Sequence, residues 1–141
     1  MKKGLLFALL LLALACQKEP ISDDDTFFAF TVKIDTFTGQ RLNQPADNLV
    51  AGQLNFYFSN DEVSLQLNTA GFDGRAGTYD ITYVKYNDGR GNHYGTGTLV
   101  VTEVNAKREF IKGTFTASCS DLNTGANLPI TEGEFLARYY E

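Results

Sequence analysis

Residues 54–67 read LNFYFSNDEVSLQL, with apolar side chains recurring at every second position on both sides of a polar centre. Leu54, Phe56 and Phe58 alternate with Asn55 and Tyr57, and Val63, Leu65 and Leu67 alternate with Ser64 and Gln66. Successive side chains of an extended chain point to opposite faces, so each run has one apolar and one wet face. Between them Ser59, Asn60, Asp61 and Glu62 supply turn chemistry at hairpin length. The stretch predicts two antiparallel strands that share a core.

The same period extends outward in both directions. Phe28, Phe30, Val32 and Ile34 alternate with Ala29, Thr31 and Lys33. Further runs follow at Tyr79, Ile81 and Tyr83, at Leu99 and Val101, at Ile111, Phe115, Ala117 and Cys119, and at Phe135, Ala137 and Tyr139. Beyond the first 25 residues no stretch offers three turns of capped helical periodicity. The expected fold is therefore all-β: a single antiparallel β-sandwich or flattened β-barrel of about seven to nine strands. Glycine begins five similar segments, at Gly52, Gly77, Gly97, Gly113 and Gly133, but their spacing is too irregular for a repeat architecture. These glycines read as strand starts, bulges and bends. Gly113 falls on the apolar phase between Ile111 and Phe115, leaving room for a bulky neighbour across a curved sheet.

The N-terminal segment belongs to a different class. Lys2 and Lys3 precede an uncharged apolar run from Gly4 to Leu14, which reads as an export signal. It is shorter than the roughly 17 to 25 apolar residues a membrane-spanning helix needs. Ala13, Leu14 and Ala15 before Cys16 resemble the lipobox of bacterial lipoproteins, although that pattern prefers a larger aliphatic residue where Ala13 stands. The resemblance implies cleavage before Cys16 and its acylation by chains of the palmitate class. An ordinary secretory signal cut near the same place is the alternative. Acylation would also remove a reactive thiol from an oxidising compartment, and each buried methylene adds about 0.8 kcal/mol of membrane affinity. The polar stretch QKEPISDDD that follows has nothing to bury and reads as a tether reaching roughly 30 Å. Its Asp23, Asp24 and Asp25 read as a solvated charge run, and they also resemble the acidic signal of surface-displayed Bacteroidota lipoproteins. The organisation expected is a signal over 1–15, a lipidated cysteine and tether over 16–25, and one all-β domain over 26–141.

Composition narrows the partners. Of the 12 basic residues the signal holds two, leaving ten against 17 acids, a net charge of −7. Nucleic acid is therefore an unlikely partner class. With Cys16 lipidated, Cys119 is the only remaining thiol, which rules out a disulfide within the domain and a cysteine-built metal site, and is expected to be buried and inert.

The alternating start of the domain, the segments GTYDIT and GTLVVTEV, and the ending IKGTF…ITEGEF resemble a group of small Bacteroidota lipoprotein domains of unknown function, over about residues 26 to 141. That resemblance implies an address and a fold, and no activity.

Catalytic constellations are sparse. His93, the only histidine, lies in the glycine-rich segment NDGRGNHYGTG, which reads as a hairpin tip and makes His93 a solvated loop residue. Glu132 and Glu134 read as outward-facing acids rather than a hydrolytic pair. Asn87, Asp88, Asn92 and Asp73 carry oxygens suited to calcium, but Asx residues beside glycine are also what tight turns require. Tyrosine is the more informative residue type, because Tyr57, Tyr86 and Tyr140 fall on the polar phase of their strands and Tyr94 flanks the glycine-rich segment. Outward tyrosines stack on sugars, anchor partners or brace a sheet.

The sequence is thus read as a non-enzymatic, cofactor-free envelope protein at the outer membrane, either surface-exposed or facing the periplasm. Its expected role is binding an envelope protein, glycan or peptide through Tyr57, Tyr86, Tyr94 and His93, the alternative being a small barrel that carries an apolar ligand. Replacing Cys16 by Ser is expected to move the protein from the membrane to the soluble fraction, and unchanged detergent partitioning would contradict the lipid anchor.

Overall fold

A computed structural model describes residues 25–32, 35–39 and 52–138. The signal segment, Cys16 and the tether as far as residue 24 lie outside the described residues, as do Ile34, Tyr139 and Tyr140. Eight strands follow one another: β1 (Phe27–Val32), β2 (Asp35–Gly39), β3 (Asn55–Ser59), β4 (Ser64–Thr69), β5 (Gly77–Asn87), β6 (Asn92–Asn105), β7 (Phe110–Ser120) and β8 (Asn127–Arg138). They form one antiparallel sheet in the order β2-β1-β8-β7-β6-β5-β4-β3.

The hairpin that decides the fold is in place. Phe56 pairs with Leu67 and Phe58 with Leu65. Asn60 accepts the Glu62 and Val63 amides at its Oδ1, at 2.9 and 2.8 Å, and so closes the turn. The remaining strands continue as a meander to β8, and the β1–β2 hairpin is added on the far side of β8.

Among the described residues no second layer covers the apolar face of the sheet, which is buried by curling. Rings from distant strands meet inside: Phe28 of β1 lies 5.0 Å from Phe58 of β3, and Phe56 of β3 lies 4.9 Å from Phe135 of β8. Phe30, Phe58 and Phe115 complete the cluster. The result is a strongly curled half-barrel, with β2 and β3 as its two edges. Each buried phenylalanine contributes about 1.5–3 kcal/mol, which favours the curled over the flat sheet.

Two inner-face glycines allow the curl. A Cβ on Gly113 would overlap the Val100 carbonyl and stand 3.1 Å from the Phe135 ring. A Cβ on Gly97 would overlap the Thr116 carbonyl and Ala117.

Bulges re-aim the strands. On β8 one extra residue opposes both neighbours, and there Glu132 takes a left-handed φ of 54°. Its carboxylate accepts the Thr31 hydroxyl at 3.0 Å. On β5, Ile81 pairs with Gly97 and Val84 with Gly95, so three steps oppose two. The phase flips within that interval. Ile81 points inward, Tyr83 outward, and Val84 and Tyr86 inward again.

Truncating Phe56, Leu65 or Phe115 to Ala is expected to cost about 2–5 kcal/mol, against under about 1 for Thr114→Ala or Gln66→Ala. Urea unfolding measures both sets, and equal effects would place the register in error.

Candidate functional site

Two surfaces carry the residues singled out above. The first is the outer face of β3 to β6. Tyr57 pairs with Gln66, Gln66 with Lys85, and Lys85 with Tyr94, so one cross-strand row links the two tyrosines over three interstrand steps, roughly 14 Å. Tyr83 joins them, its ring 6.0 Å from that of Tyr94. Tyr57, Tyr83 and Tyr94 are 37, 36 and 41 % exposed, the values of side chains lying on the face rather than sinking into it. Beside them Gln66 donates an amide N–H to Asn68 Oδ1 at 3.4 Å, which aligns two hydrogen-bonding groups along the platform.

The second is a pocket of about 220 Å³ where β1 and β2 meet the β5–β6 and β7–β8 turns. Val32, Phe37 and Leu128 form an apolar wall, while Asp88, Arg90, His93 and Asp121 bring charge and hydrogen-bonding capacity. Tyr86 forms part of the floor.

Two expectations about this region are corrected. Tyr86 does not face solvent: it is buried, with its ring edge-on to Phe30 at 6.2 Å. The cause is the β5 bulge, because strict alternation from Ile81 would place residue 86 outside and the extra residue places it inside. Nor is His93 a solvated loop residue. The turn comprises residues 88–91, and His93 is the second residue of β6, only 3 % exposed. Its ring lies 5.8 Å from that of Tyr86. Counting back from the inward Val101 and Leu99 through Gly97 and Gly95 gives His93 this orientation. That signal was in the sequence, masked by the two glycines.

The turns hold the acids in place. Asp88 Oδ1 accepts the Arg90 and Gly91 amides at 2.9 and 3.2 Å. Asp121 Oδ1 accepts the Asn123 and Thr124 amides at 2.9 and 3.2 Å. Asn87 takes the Gly89 amide at Oδ1 and donates from its side-chain amide to Asn92 Oδ1. Asp73, on the loop before β5, accepts the Tyr79 hydroxyl at 2.6 Å. The four residues considered as calcium ligands thus serve turns and a tyrosine. The second oxygen of Asp88 lies 3.5 Å from His93 Nε2, a close contact too long for a hydrogen bond. Among the described residues neither nitrogen of His93 has a hydrogen-bond partner, although the side chain is buried. An unpaired buried polar group costs about 1–3 kcal/mol.

Burial works against the Asp88 charge, yet the Arg90 amide, the adjacent His93 and the Gly91 amide outweigh it and hold the carboxyl below its ordinary value. Burial alone pushes the Cys119 thiol up to about 11, so its reactive thiolate is scarce at neutral pH. Cys119 and the exposed Glu134 take no part in either surface. Sequence reasoning missed Tyr83, which the bulge turned outward, and the pocket residues Val32, Phe37, Asp121 and Leu128, which only the curl brings together.

No protein-family model, curated protein or solved structure matches the chain.

A carboxyl with a folded pKa below its unfolded value stabilises the fold above the unfolded value, and that contribution disappears as pH falls through the folded one. Asp88→Asn keeps the turn acceptor and removes the charge. Its urea midpoint is therefore expected to fall less than that of the wild type as pH is lowered from neutrality to below the ordinary carboxylate value of 3.8. Parallel midpoint curves would show that the Asp88 charge contributes no stability.

Proposed function

We propose that this chain is a non-catalytic binding module held at the outer membrane through lipid on Cys16, and that its ligand is a neutral envelope glycan. The observation carrying this reading is the tyrosine platform of Tyr57, Tyr83 and Tyr94 on the outer face of β3 to β6. Tyrosine offers a broad apolar ring with little rotamer entropy to lose and a hydroxyl that remains hydrated. Sugar rings have apolar faces of matching shape, and the Gln66 and Asn68 amides supply the hydrogen bonding that hydroxyls need. The excess of acidic over basic residues disfavours an anionic ligand.

The competing idea, a barrel carrying an apolar ligand, finds less support. The inner face is occupied by phenylalanine rings in mutual contact, and a carrier needs that space empty.

The Tyr57→Ala, Tyr83→Ala, Tyr94→Ala triple variant is expected to lose binding to neutral glycans of the cell envelope by at least about tenfold, or ~1.4 kcal/mol. Its urea midpoint and circular dichroism should stay close to those of the wild type. Equal glycan binding by both proteins would leave these tyrosines as braces of the sheet.

A further inference from the structure

We infer that the tyrosine platform is a track for an unbranched, extended run of at least four neutral β-linked sugar units, laid across the strands from β3 to β6. The inference rests on the glycan reading above, and it adds the shape, direction and smallest length of the ligand.

The first argument is spacing. Tyr57, Gln66, Lys85 and Tyr94 stand in direct register on four adjacent strands, so each is one interstrand step of about 4.8 Å from the next. One pyranose in an extended β-linked chain advances by nearly the same distance. A chain laid along this row brings one sugar unit to each strand. Its first and fourth units meet the Tyr57 and Tyr94 rings, and the second and third lie over Gln66 and Lys85. Tyr83, its ring 6.0 Å from that of Tyr94, widens the stacking surface under the fourth unit. A chain running along a strand finds no such match, because same-face neighbours recur about every 6.8 Å. On either side of Tyr57 those neighbours are Asn55 and Ser59, which offer no ring.

The second argument is the polar pair between the rings. Among the described residues Lys85 makes no ion pair, although it is half-buried in the row. Its ammonium offers three N–H donors and no acceptor. Gln66, its cross-strand partner, gives an amide N–H to Asn68 and keeps its carbonyl oxygen as an acceptor. A donor beside an acceptor matches a hydroxyl, which is both. A carboxylate on the ligand would satisfy Lys85 alone and set an anion against the Gln66 carbonyl.

The third argument concerns length. Two contacts joined by a spacer reinforce each other only when the spacer spans them, and a chain too short to reach the second ring gains nothing from it. Three units starting on Tyr57 end over Lys85. Four reach Tyr94, so affinity rises in a step rather than evenly.

Calorimetric titration of the full chain with β-1,4-linked glucose oligomers of two to six units tests this, with maltohexaose and hexagalacturonate as the coiled and anionic counterparts. The four-unit oligomer is expected to bind at least about tenfold more tightly than the three-unit one, and the six-unit oligomer within about threefold of the four-unit one. Tyr57→Ala should remove the step. Lys85→Met, which keeps the apolar stem and loses the donors, should weaken four-unit binding about tenfold, both variants keeping urea midpoints near that of the wild type. An even rise from two to six units, a step retained in Tyr57→Ala, or undiminished binding by Lys85→Met would each overturn the track. So would maltohexaose or hexagalacturonate binding as tightly as the six-unit glucose oligomer, or no binding of any β-1,4 oligomer. Failure of the glycan reading is seen separately, as equal binding of envelope glycans by the wild type and the triple tyrosine variant. Tyrosine-dependent envelope binding without the length step overturns the track alone.

Discussion

One constraint governs this molecule: a single sheet must bury its own apolar face. Among the described residues no helix and no second sheet lies over it, so the inner face is covered where strands far apart in the hydrogen-bonding order approach one another. Phe28 against Phe58 and Phe56 against Phe135 are the contacts through which they do. Other features follow from this. The middle of the sheet must bend, so inner positions where a Cβ would strike a neighbouring strand are glycine, as at Gly97 and Gly113. Polar groups drawn into the curl must find partners, as Thr69 does by exchanging hydrogen bonds with the Leu54 backbone.

Bending also uses bulges, and the bulges distribute side chains between the two surfaces. The extra residue in β5 turns Tyr83 out beside Tyr94 and turns Tyr86 in beside His93. One irregularity thus separates what simple alternation would have merged into one aromatic surface. It leaves an outer platform of rings open to solvent and an inner pocket where an imidazole is held at the edge of the core. The β8 bulge costs more, since Glu132 takes a conformation that side chains with a Cβ disfavour. The Thr31 hydroxyl, bonded to the Glu132 carboxylate, helps hold it there.

This explains which parts of the molecule were legible in the sequence. The 54–67 hairpin was readable because its strands are short, unbulged and flanked by strong turn residues, so parity is conserved from Leu54 to Leu67. The long strands were readable as strands but not in phase throughout. Along β5 the parity inferred from Tyr79, Ile81 and Tyr83 fails after Ile81, because a bulge is a backbone event that leaves little trace in composition. Along β6 the orientation of His93 was encoded by Leu99 and Val101, but Gly95 and Gly97 have no side chains to carry the pattern back to it. The pocket was illegible for another reason. Val32, His93 and Asp121 are far apart in sequence, and they meet only because the curl gathers β1, β2 and the β5–β6 and β7–β8 turns at one end. Local periodicity holds no information on curvature.

The curl also sets the physical character of each surface. The tyrosine platform lies on the convex face, where neighbouring side chains splay apart and the rings stay open to solvent. The pocket lies where the sheet closes toward itself, so its walls converge and its charges are partly withdrawn from water. The same physical feature therefore leaves rings spread open on one surface and polar side chains gathered at the other. Phe28, Phe30 and Phe58 impose the curvature that both require. Loss of ring contacts deep in the core is accordingly a route to losing both surfaces together, although none of those rings belongs to either.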